Sequence, residues 1–484
     1  MYRDYRTEVA RGCRTRGVPL ICVEAALDAR GGAIPRRTPE GTATILGPVR
    51  FLLTLFAVLA FGAGIGSAGA EPAIVRDLPP GLQLPDAARP GPAFDTDRAT
   101  EAWLGLLTPE QRRLSDAYFE GGYWLRFWEL GYGVAVMALL LWSRLSARMR
   151  DFAERLGHKR ALSTMIYSAL FITAFFVLGL PFSIYTQLVR EHAYGLSHQS
   201  FSAWLGEALI GLGLQIAIGS VVIALLYWAI RRAGSRWWLW ATGLALAVSL
   251  FVSLISPVFI APLFNDYQPL AAGPVRDAVF SLARANEIPT DHIAWFDASK
   301  QTTRISANVS GLLGVTRVSL NDNLLNKTSL PEIKAVLGHE MGHYVLNHIF
   351  LLTVYQTILT GVALWGVHAT LDRALARWGP RLELRGRDDP AALPLALAIF
   401  MIALFVLSPF NNTVVRTAEA EADAFGLNAA REPEGFAMVS MRLSTYRKLK
   451  PGPVEEFLFY DHPSGYERVR RAMLWRKENL PAAQ

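Results

Sequence analysis

Six apolar runs govern what this chain can become. They fall near 124–143, 162–188, 205–230, 237–260, 349–371 and 391–409, and each is close to or above the roughly 20 residues that a helix needs to cross a bilayer. Composition agrees, with 52% apolar and only 18% charged residues, more apolar side chain than soluble cores of this size bury. The chain therefore reads as an α-helical polytopic membrane protein embedded in lipid. Its formal charge of +7 lies mainly in short loops beside these runs, where arginine marks topology and headgroup contact. No nucleic-acid signature accompanies it, so nucleic acid is excluded as a partner.

Residues 1–49 are Arg-rich without periodicity and read as a disordered N-terminal extension, holding both cysteines, Cys13 and Cys22. Residues 50–70 join Arg50, an apolar stretch and an Ala-Gly-Ala sequence, the parts of a signal peptide or, failing cleavage, of a first membrane helix. A proline-rich linker and an amphipathic helix fill 71–122. Four spans occupy 123–260 and two more 349–412.

Two water-soluble stretches remain, 261–348 and 413–484. Two spans separate them, so they share one face of the membrane and form one small α+β domain. In the first, HIAWFDA, TRISANVS and VTRVSL have strand character, with Gly311 and Gly314 between the last two. Ser329-Leu330-Pro331-Glu332 fits a capping box opening a helix that runs to about Asn347.

That helix carries Gly338-His339-Glu340-Met341-Gly342-His343. Residues four apart share a helix face, so both imidazoles reach one ion. Glu340 sits about 100° away and approaches a water on that ion instead. Two imidazoles and a carboxylate suit one Zn2+ with an open position for water, and Glu340 is placed to act as general base in peptide-bond hydrolysis. The offsets of a third histidine ligand lack both Gly and His. The acidic run Arg416–Asp423 is the best source of the remaining ligand. Glu419 and Asp423 share a face, so one can bind the metal while the other orients a ligand imidazole. Glu421 lies about 200° from Glu419 and is set apart from that pair. His348, His368, His292, His198 and His192 read as interface or loop histidines.

These segments together resemble the type I CAAX prenyl proteases, membrane zinc metalloproteases of the gluzincin type. The likeness spans about 120–475 and is carried by EHAYGLSHQS (191–200), SPVFIAPLFNDYQPL (256–270), GHEMGHY, RTAEAEADAFG (416–426) and DHPSGYER (461–468). It implies Glu419 as third ligand with Asp423 behind a ligand imidazole, a transition-state role for His462, and Arg468 supporting the acidic group. It also implies a substrate-holding strand at Ser306, Ala307 and Asn308, where the family's Asn-Ala-Tyr element is matched only by Ala307. The peptide would bind extended, adding a strand beside 304–310.

Two rivals are a site-2-type intramembrane protease and a non-enzymatic scaffold or transporter with structural zinc. Glu332, Lys334 and Asn347 on the zinc helix argue against the first. Glu340, superfluous in a closed structural site, argues against the second. Arginines and lysines crowd the loops following the first, third and fifth spans, whereas 189–204 has only Arg190. Basic loops stay cytoplasmic, so the expectation is a bacterial inner-membrane protein with an extracytoplasmic catalytic face. Prenylated substrates are not expected there.

Overall fold

The computed structural model describes residues 77–312 and 315–480. The proposed extension, 1–49, and the signal-peptide segment, 50–70, fall outside the described residues, as does Gly314. The first helices are α1 (Thr96–Leu104), α2 (Pro109–Trp142), α3 (Leu145–Leu156) and α4, helical over Arg160–Ala193 with a π turn at Ile184–Val189. Then come α5 (Phe201–Ala233) and α6 (Trp237–Ile255).

Five helical stretches among the described residues are long and apolar enough to cross a membrane, and the third, Phe201–Leu263, has 63 residues. Gly234 breaks it with a positive φ of 56°. Trp228 and Trp240 then lie 6.0 Å apart, centroid to centroid, although twelve residues of straight helix would separate them by about 18 Å. The chain reverses there, so α5 and α6 are two limbs of a hairpin, matching two of the expected spans.

Two boundaries differ from expectation. Helix α2 is continuous over Pro109–Trp142, joining the amphipathic segment to the first span. Thr108 starts it, its Oγ accepting from Gln111 N–H while Gln111 Oε1 accepts from Thr108 N–H. The residues from Asp77 onward are also more than a linker. Leu78, Trp103 and Leu104 are buried in a core with Phe436, Met438, Met441 and Met473, and the buried Arg442 guanidinium donates to the carbonyls of Leu78, Pro79 and Gly81. Proline-rich backbone without periodicity is held by carbonyls, which a side-chain pattern does not reveal.

The second half of the chain starts with β1 (Tyr267–Pro269), α7 (Pro274–Ala285), β2 (Thr290–Phe296), β3 (Ala307–Leu312) and β4 (Val315–Asn321). The sheet runs β1-β2-β4-β3, with β2 and β4 parallel and the other pairs antiparallel. Strand β3 is therefore an edge. The Thr303–Ser306 part of the expected strand lies outside the ladder, because Asn321 captures it: its side chain accepts from Ser306 N–H and donates to Arg304 C=O. Helices α8 (Asp322–Lys327), α9 (Leu330–Val345), α10 (His348–Leu382), α11 (Leu393–Ala430), α12 (Pro433–Leu443), α13 (Pro453–Phe459) and α14 (Gly465–Asn479) complete the described chain.

Helix α9 packs Ile333, Leu337 and Met341 against the sheet's Val309, Val318 and Leu320. Glu332 accepts from Ser329 N–H at its N-terminus and pairs with Arg442 at 2.5 Å; it is fully buried in protein rather than facing water. At 38 residues, α11 is about 57 Å long, nearly twice a bilayer core, so its second half projects beyond the membrane. There it lies along α9 on a seam of small residues. A Cβ on Gly338 would meet the Gly426 carbonyl oxygen at 2.9 Å, and one on Gly342 would meet Ala422 Cα at 3.1 Å.

At the far end of the bundle, Arg150 pairs with Asp389 at 2.7 Å, both side chains nearly inaccessible, and Met149, Ile230, Trp237, Leu382 and Ala391 share one core. The three basic loops gather on this side.

Candidate metal centre

One turn of α9 separates His339 from His343, and their Nε2 atoms face each other at 3.2 Å. Glu419 reaches in from α11, with Oε2 3.2 Å from His339 Nε2 and Oε1 3.4 Å from His343 Nε2. Ligand atoms about 2.0–2.1 Å from a tetrahedral zinc stand about 3.3–3.4 Å apart; the separations among the two imidazole nitrogens and the two Glu419 oxygens are of this size, and one atom from each residue lies within 4.8 Å of the others. Glu419 Oε2 is buried and has no hydrogen bond; a buried carboxylate oxygen without a donor is costly unless a cation meets it. Charge agrees as well. Glu340, Glu419 and Asp423 outnumber Arg468 as the charged neighbours of the two imidazoles, leaving negative charge for a divalent cation to offset. Burial works against a proton on His339, but the carboxylates of Asp423 and Glu419 outweigh it and hold the imidazole up at about 9.

Asp423 is fully buried, with Oδ1 2.8 Å from His339 Nδ1. Arg468, from α14, donates through Nε to Asp423 Oδ2 at 2.9 Å and through Nη2 to Oδ1. A carboxylate there fixes the tautomer and ring plane of a ligand histidine. His462 lies just before α14, its Nε2 3.4 Å from Glu419 Oε2 and its Nδ1 bonded to Asp461 at 2.9 Å. Arg416 and Asn412 of α11 hold the approach to it, donating to the carbonyls of Tyr460 and Glu456 and of Leu458. The helix that supplies Glu419 thus also places the segment bearing His462.

A cleft of about 250 Å³ is lined by His339, Glu340, His462 and Arg468 on one side and Ser306 and Ala307 on the other. Burial pushes the Glu340 carboxyl above its ordinary range, toward the value that suits a base near neutrality. The substrate-strand residues differ in what they offer. Ser306 has its N–H bonded to Asn321 Oδ1 and its C=O to Asn321 N–H. Ladder alternation then turns the main chain of Ala307 and Val309 to the open edge and that of Asn308 toward Ser319. The 191–200 segment supports this strand from behind, with Glu191 pairing to Arg304 at 2.7 Å and Leu196 C=O accepting from Thr303 N–H.

Sequence spacing misses two participants. His348, which spacing reads as a loop or interface histidine, is buried with Nδ1 3.1 Å from His343 Nδ1, and Glu421 Oε2 lies 3.1 Å from its other nitrogen.

Comparison with known proteins places this arrangement. Residues 96–266 match the family model described as CAAX prenyl protease N-terminal, five membrane helices, and residues 269–476 match that of peptidase family M48. The chain belongs to peptidase family M48. It is a membrane zinc metalloendopeptidase, an integral membrane protein acting on peptides. An uncharacterised metalloprotease of Bacillus subtilis is 28% identical over 383 residues, covering 78% of this chain and 89% of that protein. The CAAX prenyl protease 1 of Saccharomyces cerevisiae is 26% identical over 310 residues, covering 60% and 68%. The crystal structure of S. mikatae Ste24p shares the fold, with a TM-score of 0.62 at 20% identity, over 91% of this chain and 100% of that one. The M48 fold here is the expected α-helical membrane protein with a small α+β protease domain.

Proposed function

We propose that one zinc ion per chain is held by His339, His343 and Glu419, in the gluzincin manner, and that Glu340 is the general base of peptide-bond hydrolysis. The observation that carries this is the convergence of the two imidazole Nε2 atoms and the two Glu419 oxygens at separations of 3.2–3.4 Å, with Glu419 Oε2 buried and lacking a donor. When bound, zinc acidifies water and polarises a peptide carbonyl. Glu340 accepts the water's proton and returns it to the leaving amine. His462, beside Glu419, donates to the oxyanion that develops as the carbonyl is attacked. Asp423, clamped by Arg468, keeps the His339 Nε2 lone pair on the ion.

The substrate lies extended in the cleft, pairing with the open edge of β3 at Ala307 and Val309. Ser306 and Asn308 flank this register, with Ser306 at the cleft wall and Asn308 committed to the ladder. The basic loops gathered at the far end of the bundle stay in the cytoplasm, which puts the protease domain on the extracytoplasmic face of a bacterial inner membrane. Relatives such as those of Oryza sativa and Saccharomyces cerevisiae carry the name CAAX prenyl protease 1 or its homologue; for this chain the proposed reaction is endoproteolysis of extended peptides.

Glu419→Ala tests the ligand set. Zinc measured on the detergent-purified chain falls from one per chain to well below that, and peptidase activity goes with it. Full zinc in Glu419→Ala would overturn the assignment.

A further inference from the structure

His348 stands five residues after His343, which along unbroken helix is about 140° round and facing away. The helix does not continue. It ends at Val345, and Asn347 adopts a left-handed backbone with φ 56° and ψ 30°, a conformation Asn tolerates better than most side chains. The helix breaks there, and the His348 ring lands against His343 with Nδ1 facing Nδ1 at 3.1 Å. Its Nε2 is 3.1 Å from Glu421 Oε2. His348 is 3% exposed, whereas the Glu421 side chain is 59% exposed.

The proton order follows from the ligand set proposed above, on which this inference rests. His343 gives Nε2 to the metal, so its Nδ1 carries hydrogen and donates. His348 Nδ1 must then accept, which puts the His348 hydrogen on Nε2, facing Glu421 Oε2. The other tautomer would set N–H against N–H on one side and a lone pair against a carboxylate on the other.

We propose that Glu421 and His348 form a relay that orients the zinc ligand His343, as Asp423 does for His339. The three acidic residues of α11 then divide the work: Glu419 on the ion, Asp423 behind one imidazole and Glu421, through His348, behind the other. Both His348 and Glu421 are positioning residues, and their effect is read in zinc affinity.

The zinc dissociation constant of the detergent-purified full-length chain, measured by chelator competition, tests the relay. His348→Leu preserves bulk and removes the relay, and weakens zinc by about 10- to 100-fold. His348→Gln, whose amide accepts from His343 and donates to Glu421, recovers most of that loss. Glu421→Ala weakens zinc by about tenfold, the lower end of the range for groups behind a ligand. The double variant binds no more weakly than His348→Leu alone, because the two act in series. Wild-type affinity in Glu421→Ala overturns the relay, and so do additive losses in the double variant. Glu421 is exposed, so its variant folds and decides between these outcomes even if His348→Leu does not fold. Unchanged relay variants beside a zinc-free Glu419→Ala would sink the relay and spare the ligand set; a wild type that binds no zinc would sink both.

Discussion

Gly426 lies where the two helices carrying the proposed zinc ligands pack most closely, and it is predicted to set their spacing. A Cβ at this position would lie 2.7 Å from His339 N, 3.0 Å from His339 Cα and 3.1 Å from Gly338 C. These are backbone atoms inside a helix and have no local escape. To restore an ordinary contact of 3.4 Å, α9 and α11 must part by about 0.7 Å, the difference between 3.4 and 2.7. Zinc sites tolerate ligand displacements of only about 0.2 Å, and His339 and Glu419 ride on the two helices being separated. Without metal, Gly426→Ala relaxes by splaying, and alanine's helix propensity returns up to about 1 kcal/mol. With metal bound the helices are drawn together and the overpacking remains, at about 1–3 kcal/mol. That corresponds to roughly 5- to 150-fold weaker zinc binding. Gly366→Ala on α10, where a new Cβ meets nothing within 4 Å, is the control and keeps wild-type affinity. Chelator competition gives the affinities, and thermal unfolding with and without zinc shows whether the loss is confined to the metal-bound state. Wild-type zinc affinity in Gly426→Ala would refute the view that this glycine sets the spacing of the ligand helices.

Two other outcomes are expected. Ala307→Pro removes a donor from the open edge of β3 and raises KM for peptide cleavage several-fold with zinc retained, while Asn308→Ala changes KM little; equal damage from both would mean that Asn308 recognises substrate through its side chain. In a background with Cys13 and Cys22 replaced, Arg387→Cys resists an impermeant thiol reagent in intact cells and Lys477→Cys reacts; the reverse pattern would invert the membrane orientation without touching the zinc chemistry.

Features with a local period are legible in the sequence, and features made where a helix breaks or distant segments meet are not. The HExxH spacing, the Ser329–Glu332 start of α9 and the pairing of Glu419 with Asp423 on one face all follow from helical geometry, and the six apolar runs appear as α2, α4, α5, α6, α10 and α11. His348 escapes a reading by helical spacing because its distance from His343 does not fit a helix face, and it reaches His343 only through the left-handed Asn347. Glu421 does point away from Glu419, as its spacing requires; the partner on its own side has no signal in the sequence. The alanines of 418–422 suggest close packing, but three glycines set most of the seam, and Ala422 only shares in it. Arg442 carries no local signal at all. Its guanidinium binds Glu332 and three carbonyls from more than three hundred residues earlier in the chain, and long-range satisfaction of backbone carbonyls has no sequence period to betray it.

At the centre of the proposed chemistry is a division of labour: Glu340 would act on water while His339, His343 and Glu419 hold the ion. Zinc content and peptide cleavage, measured together on wild type and Glu340→Gln, test that division most directly. The expected result is one zinc per chain in both proteins, with cleavage of an unstructured peptide pool slowed by at least about 10²- to 10⁴-fold in the variant. Zinc lost along with activity would make Glu340 a ligand, and zinc retained with activity intact would give the base to another residue.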